Sequence, residues 1–245
     1  MSTTAGRASP SLPGLGGIVN QTILLALVIA IVAVYVLMKV FVRLFVRGVV
    51  RGALSAIGRR ALNRTPDQIK LTRTDSPAWT NGPAVEQQAA PLRSAGFKDL
   101  GVYTVDKMPG VLVRLMHHPE TFVEAHIYDH PRVGSWIEFA SRYTDGSSHT
   151  LTTLAPTGLD RPEWVRTIRA DKSTPTDQLY SQFKTQREWH NIKPVAAEEV
   201  VHEFEDAYLR FMIWRQNSGI TPEEVRRVAL KWADKRAKAA GSSVS

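Results

Sequence analysis

The chain contains no cysteine. That excludes disulfides, Cys-ligated zinc, iron–sulfur clusters and thiol catalysis, although it assigns no redox compartment. Nor does it contain a glycine-rich turn of the kind that cradles nucleotide phosphates between a strand and a helix. G-x-S-x-G, H-E-x-x-H and EF-hand loops are missing as well, and there is no internal repeat. Acidic residues are absent from the first quarter, the first being Asp67. No cofactor and no metal is implied by any of these patterns.

The formal net charge is +8, and its placement says more than its size. One basic residue, Arg7, stands before residue 18, and seven lie between Lys39 and Arg64. Removing those eight from the 31 basic residues leaves 23, equal to the 23 acids, so residues 65–245 are formally neutral. A nucleic-acid-binding domain carries its own basic patch to neutralise phosphates. Global charge therefore gives no support for nucleic acid as a partner.

What the chain does have is a long apolar run. Ile18 to Met38 holds no charged residue, and its strongly polar residues, Asn20, Gln21 and Thr22, sit at one end. As a helix it spans about 30 Å, the thickness of a bilayer core. A cleaved signal peptide has a shorter apolar region with its positive charge in front; here the charge follows. The basic asymmetry around the run predicts an uncleaved single-pass anchor over 18–38, a short outer tail over 1–17 and a cytoplasmic C-terminal part, as in a bacterial inner membrane. Lys39, Arg43, Arg47 and Arg51 recur every fourth residue and share one helix face. This juxtamembrane helix, 39–64, either continues the anchor or lies on anionic headgroups. Gly48 and Gly52 form a small-xxx-small pair, a weak signal for a homodimer through the anchor and more simply a flexible point.

Residues 65–90 are polar and turn-rich and read as a linker. A short helix over "PLRSAGF" opens an α+β domain at 91–238. Strand-length apolar runs follow at Gly101–Val105, Val111–Met116, Phe122–Tyr128, Trp136–Tyr143 and His149–Leu154, with a sixth near Trp164–Ile168. Their separators are short, which predicts an antiparallel meander of five to six strands. Three helices come next. The first starts at Thr174-Pro175, the second runs from Pro194 to Gly219 with Phe204, Tyr208 and Phe211 on one side, and the third opens with the "TPEE" capping box at Thr221. They are expected to cover one face of the sheet, with a frayed tail over 239–245.

Isolated histidine motifs have bland explanations. Glu199 and His202 have the i, i+3 spacing of di-iron bundles, but the set of further carboxylates is missing. "HHPE" at His117–Glu120 reads as a solvated turn, and His126 and His130 diverge on a strand. One constellation remains. Pairing Tyr128 with Trp136 sets His126 opposite Glu138; closing the next hairpin at Asp145-Gly146 sets Arg142 opposite His149; a "HHPET" loop sets Arg114 beside Glu124. One sheet face then carries Arg114, Glu124, His126, Tyr128, Trp136, Glu138, Arg142 and His149, and the other carries Val113, Leu115, Val123, Ala125, Ile127, Ile137 and Phe139 as core. A solvated face of salt-bridged pairs is the plain reading. The functional reading is a surface for a protein partner or small ligand. The sequence therefore points to a membrane-anchored, non-catalytic binding module, an accessory subunit of a membrane complex. The alternatives are a hydrolase using His126 and Glu138, and an anchor that itself serves as a structural subunit.

Overall fold

A computed structural model describes the backbone of residues 15–242 and the side chains of residues 35–234, 236 and 237. It divides into two compact units, Met1–Ala53 and Leu54–Ser245.

The first unit holds most of α1 (Leu15–Leu62). The helix runs unbroken through Gly48 and Gly52, where an added Cβ would meet nothing within 4 Å. The flexible point expected there is not a break: one glycine per turn lowers helix propensity by only about 1 kcal/mol. From Tyr35 to Val50 every large apolar side chain is at least 50% exposed. Phe41 and Phe45 stack at 6.2 Å, and the Lys39 ammonium sits 5.3 Å from the Tyr35 ring. Most of the anchor expected over 18–38 and all of the tail expected over 1–17 lie outside the residues described to side-chain level. Among the described residues, no helix is long and apolar enough to cross a membrane.

The second unit starts with the last turns of α1. Gly58 is buried there, and a Cβ on it would lie 2.7 Å from the Ile220 carbonyl, so this close backbone approach requires glycine. There follow β1 (Leu71–Thr74), α2 (Gly82–Ser94), β2 (Lys98–Val105), β3 (Leu112–His118), β4 (Val123–His130), β5 (Gly134–Arg142), β6 (Ser148–Thr152), β7 (Val165–Arg169), α3 (Thr176–Gln186), α4 (Val200–Ser218) and α5 (Pro222–Ser242). The fold is α+β. Its sheet has seven strands in sequence order, antiparallel except for the parallel β6–β7 pair. That pair departs from the expected meander because residues 153–164 form a connection long enough to carry the chain back to the start of β6.

The stretch expected as a linker, 65–90, contains β1 and most of α2. Its polar composition hid them. β1 is a four-residue edge strand, and α2 buries only Val85, Ala89 and Leu92. Asp129 of β4 fixes the start of α2, its Oδ2 accepting from the backbone N–H of Thr80 (2.5 Å) and Asn81 (3.1 Å). At the other end, α5 stays helical through 239–242, where fraying was expected.

Helices cover both faces of the sheet, not one. On the first face, α2 and α3 close a core of Val85, Leu92, Phe97, Met116, Val123, Ala125, Ile127, Ile137, Phe139, Leu151, Leu179 and Phe183. On the second, α4 and the segment before it cover Ile69, Tyr103, Val105, Val113, Leu115, Val195 and Val200, with Tyr128, Val201, Phe204 and Tyr208 packed alongside. β3 and β4 are buried at nearly every position, as strands enclosed on both faces must be. Two of the charges on β4 and β5, Glu124 of β4 and Arg142 of β5, neutralise one another beneath α4.

Candidate functional site

The β4–β5 hairpin brings together most of the residues singled out from the sequence. Its register pairs Tyr128 with Trp136 and His126 with Glu138. Glu124, His126, Tyr128, Trp136, Glu138 and Arg142 thus share the face under α4. Arg114 and His149 do not. β3 runs to His118, so Glu124 faces His117, and Arg114 falls opposite Ile127. The β5–β6 turn spans Thr144-Asp145-Gly146, one residue longer than expected, with Gly146 at φ +82°. His149 therefore pairs with Ser141 instead of Arg142. In each case an odd shift of register turns the side chain to the other face. Arg114 instead joins β2 to α2, through Asp99 at 2.8 Å and Glu86 at 2.9 Å. His149 is buried edge-on against Phe183, 5.7 Å away, and burial holds its imidazole below the ordinary range. Of the residues expected as core, Val113 and Leu115 lie on the α4 side, opposite the other five.

Beneath α4 the charges form a closed network. Glu124 is 1% exposed. Arg142 grips it in a fork, Nε donating to Oε1 at 2.8 Å and Nη2 to Oε2 at 2.9 Å. His126 Nε2 lies 3.0 Å from Glu124 Oε2, which makes Nε2 the protonated nitrogen. Burial alone would raise the Glu124 carboxyl; Arg142 and His126 overrule it and hold it at about 2. Glu203 of α4 lies 3.6 Å from Arg142 and is itself paired with Lys193. His117, expected in a solvated turn, instead lies within β3 because that strand runs on to His118; it is buried on the same face, and burial lowers its imidazole against the pull of Glu124.

This network takes both His126 and Arg142 away from Glu138. His126 and Glu138 are register partners, yet the imidazole turns along its own strand to Glu124. The acid–base pair on which a hydrolase would rely is not made. Among the described residues Glu138 has no hydrogen bond and no ion pair within 4.0 Å.

Glu138 lines a cleft of about 180 Å³ between the sheet and α4. His126, Tyr128, Ala140, Arg142, Ser148 and Thr150 form the floor, and Phe204, Ala207, Tyr208 and Phe211 the roof. The roof residues recur at helical spacing, so one face of α4 supplies them all. A second cleft of about 190 Å³ adjoins it and shares Arg142, Ser148, Val165, Ala207 and Phe211. Tyr128 stacks on Trp136 at 4.6 Å, and burial, then Glu138 and Glu124, push its phenol above the ordinary range. Arg161, from the crossover before β7, completes the lining. It donates to Thr167 Oγ1 at 2.8 Å and has no acid within 4.0 Å among the described residues. The chain matches no family model, no curated protein and no solved structure.

The α4 stripe was visible in the sequence as Phe204, Tyr208 and Phe211. Arg161 was not, because it lies in an irregular crossover without periodicity. His202, of the Glu199–His202 pair, is exposed and lies 3.3 Å from Asp206. Among the described residues no group of three His, Asp or Glu could hold a metal ion.

Proposed function

We propose that the protein is a membrane-tethered binding module whose cleft beneath α4 takes a small ligand, and that it works without catalysing a reaction. One observation carries the reading. Among the described residues, Glu138 keeps a half-buried carboxylate with no hydrogen bond and no ion pair within 4.0 Å, beside a network in which the other acids, Glu124 and Glu203, are paired. A half-buried carboxylate with no bonded partner has acceptor capacity to spare. A ligand with a cationic or hydrogen-bond-donating group supplies the partner.

Two features support the tether. The sequence from Ile18 to Met38 is uncharged and followed by seven basic residues. The apolar side chains of Tyr35–Val50 are exposed over a surface that water would not tolerate bare. Lipid covers such a helix, with Lys39, Arg43, Arg47 and Arg51 reaching anionic headgroups. In this reading the N-terminus lies outside and the domain faces the cytoplasm of a bacterial inner membrane, where it serves as an accessory subunit.

The test uses Ala207, which lines both clefts and has a small side chain. Ala207→Trp fills the space beneath α4. Full-length protein in lipid nanodiscs is examined by native mass spectrometry and by thermal shift against a panel of small charged metabolites. Ligands bound by the wild type and lost in a folded Ala207→Trp variant support the reading. A wild type that binds nothing, or binds equally well in the variant, refutes it.

A further inference from the structure

Resting on that reading of the cleft, we infer that its ligand is a small zwitterion of amino-acid size, its cationic end at Glu138 and its anionic end at Arg161.

The charges select the ligand. Three permanently ionised groups line the cleft, Glu138, Arg142 and Arg161, and Glu124 and Glu203 stand against Arg142. Glu124, Arg142 and Glu203 satisfy one another, and Lys193 completes Glu203. Of the three that line this cleft, Glu138 and Arg161 are left without an opposite charge within 4.0 Å among the described residues, while Arg210, also without one, lines the adjoining cleft. Glu138 and Arg161 have opposite signs, and they stand too far apart to pair with each other. Both act electrostatically on the Tyr128 phenol, which lines the same cleft. A singly charged ligand would satisfy one and leave the other desolvated beneath it. A ligand with both charges satisfies the two together, and Tyr128 offers a hydroxyl to either end.

Size and roof narrow the class. About 180 Å³, with about 190 Å³ in the adjoining cleft, suits a compact molecule. Phe204, Phe211 and Val165 give the remaining wall an apolar surface. A compact aliphatic side chain between two charged ends fits those dimensions.

The test is calorimetric titration of full-length protein in nanodiscs with four probes. L-Leucine and 6-aminohexanoate are zwitterions with close and distant charges. 3-Methylbutylamine and 4-methylpentanoate are leucine without its carboxylate and without its amine. The expected result is that at least one zwitterion binds at least ten times more tightly than both singly charged probes. Glu138→Gln and Arg161→Gln should each weaken it at least tenfold, with circular dichroism unchanged. Arg161→Lys, which keeps the charge, should recover part of the loss. If the amine alone binds as tightly as leucine and Arg161→Gln has no effect, the zwitterion is wrong while the cleft stands as a cation site. If none of the probes binds but other ligands are lost in Ala207→Trp, the ligand class is wrong and the binding reading survives. If no probe binds and nothing depends on Ala207, both fall.

Discussion

Removing the Arg142 guanidinium should unfold this domain more readily than almost any other single change on the sheet. Arg142→Met keeps much of the side-chain volume and deletes both charge-assisted bonds to Glu124. Glu124 is then left 1% exposed with His126 as its one remaining partner. Breaking a buried ion pair from one side typically costs about 3–5 kcal/mol, because the stranded charge is still desolvated. The carboxyl itself gives a second route to the magnitude. Its fall from 4.5 to about 2 corresponds to about 3 kcal/mol favouring the ionised form. The two figures agree. The sign with pH follows. In the wild type this contribution is complete above the ordinary carboxyl value and is lost as pH falls through about 2. In Arg142→Met, burial is left to raise the carboxyl, so Glu124 takes up a proton at mild acidity and the penalty shrinks between pH 7 and pH 4. Urea unfolding of residues 54–245, followed by near-UV circular dichroism, measures both. Adding Glu124→Gln to Arg142→Met should recover much of the loss, since no charge is then stranded. A loss below about 1 kcal/mol at pH 7, or one that does not change down to pH 4, would refute the buried-network account.

Three further outcomes follow from the fold. A fragment beginning at Leu54 should be soluble and unfold cooperatively, whereas one beginning at residue 89 should not, because it lacks β1 and the α2 residue Val85; thermal unfolding distinguishes them. Tyr208→Phe should cost about 1 kcal/mol through loss of the 2.8 Å bond from its hydroxyl to the Pro66 carbonyl, and ultraviolet titration should lose a phenol that burial pushes up to about 12. A reporter fused after Ser245 should be active only on the cytoplasmic side, and neutralising Arg43, Arg47 and Arg51 while adding lysines before Leu12 should weaken that orientation; activity on the outer side would reject the tether's direction.

The sequence by itself determined whatever depends on local pattern. The charge partition around Ile18–Met38, the alternation of β4 and β5 and the helical spacing of Phe204, Tyr208 and Phe211 are all periodicities written in neighbouring residues. The Tyr128–Trp136 register was readable because the short loop before Gly134 leaves few ways to close the hairpin. Tertiary structure decided the rest. A single added residue in the Thr144–Gly146 turn moved His149 to the opposite face, and the length of β3 did the same to Arg114, because side chains alternate along a strand and an odd slip reverses them all. β1 and α2 were concealed since each buries few residues and takes its stability from strands distant in sequence. That the polar face lies under a helix instead of in water could not be read from β4 and β5 alone. It required Arg142 to close on Glu124, eighteen residues away, which turned a set of exposed charges into a buried, neutral network and left Glu138 and Arg161 unpaired above it.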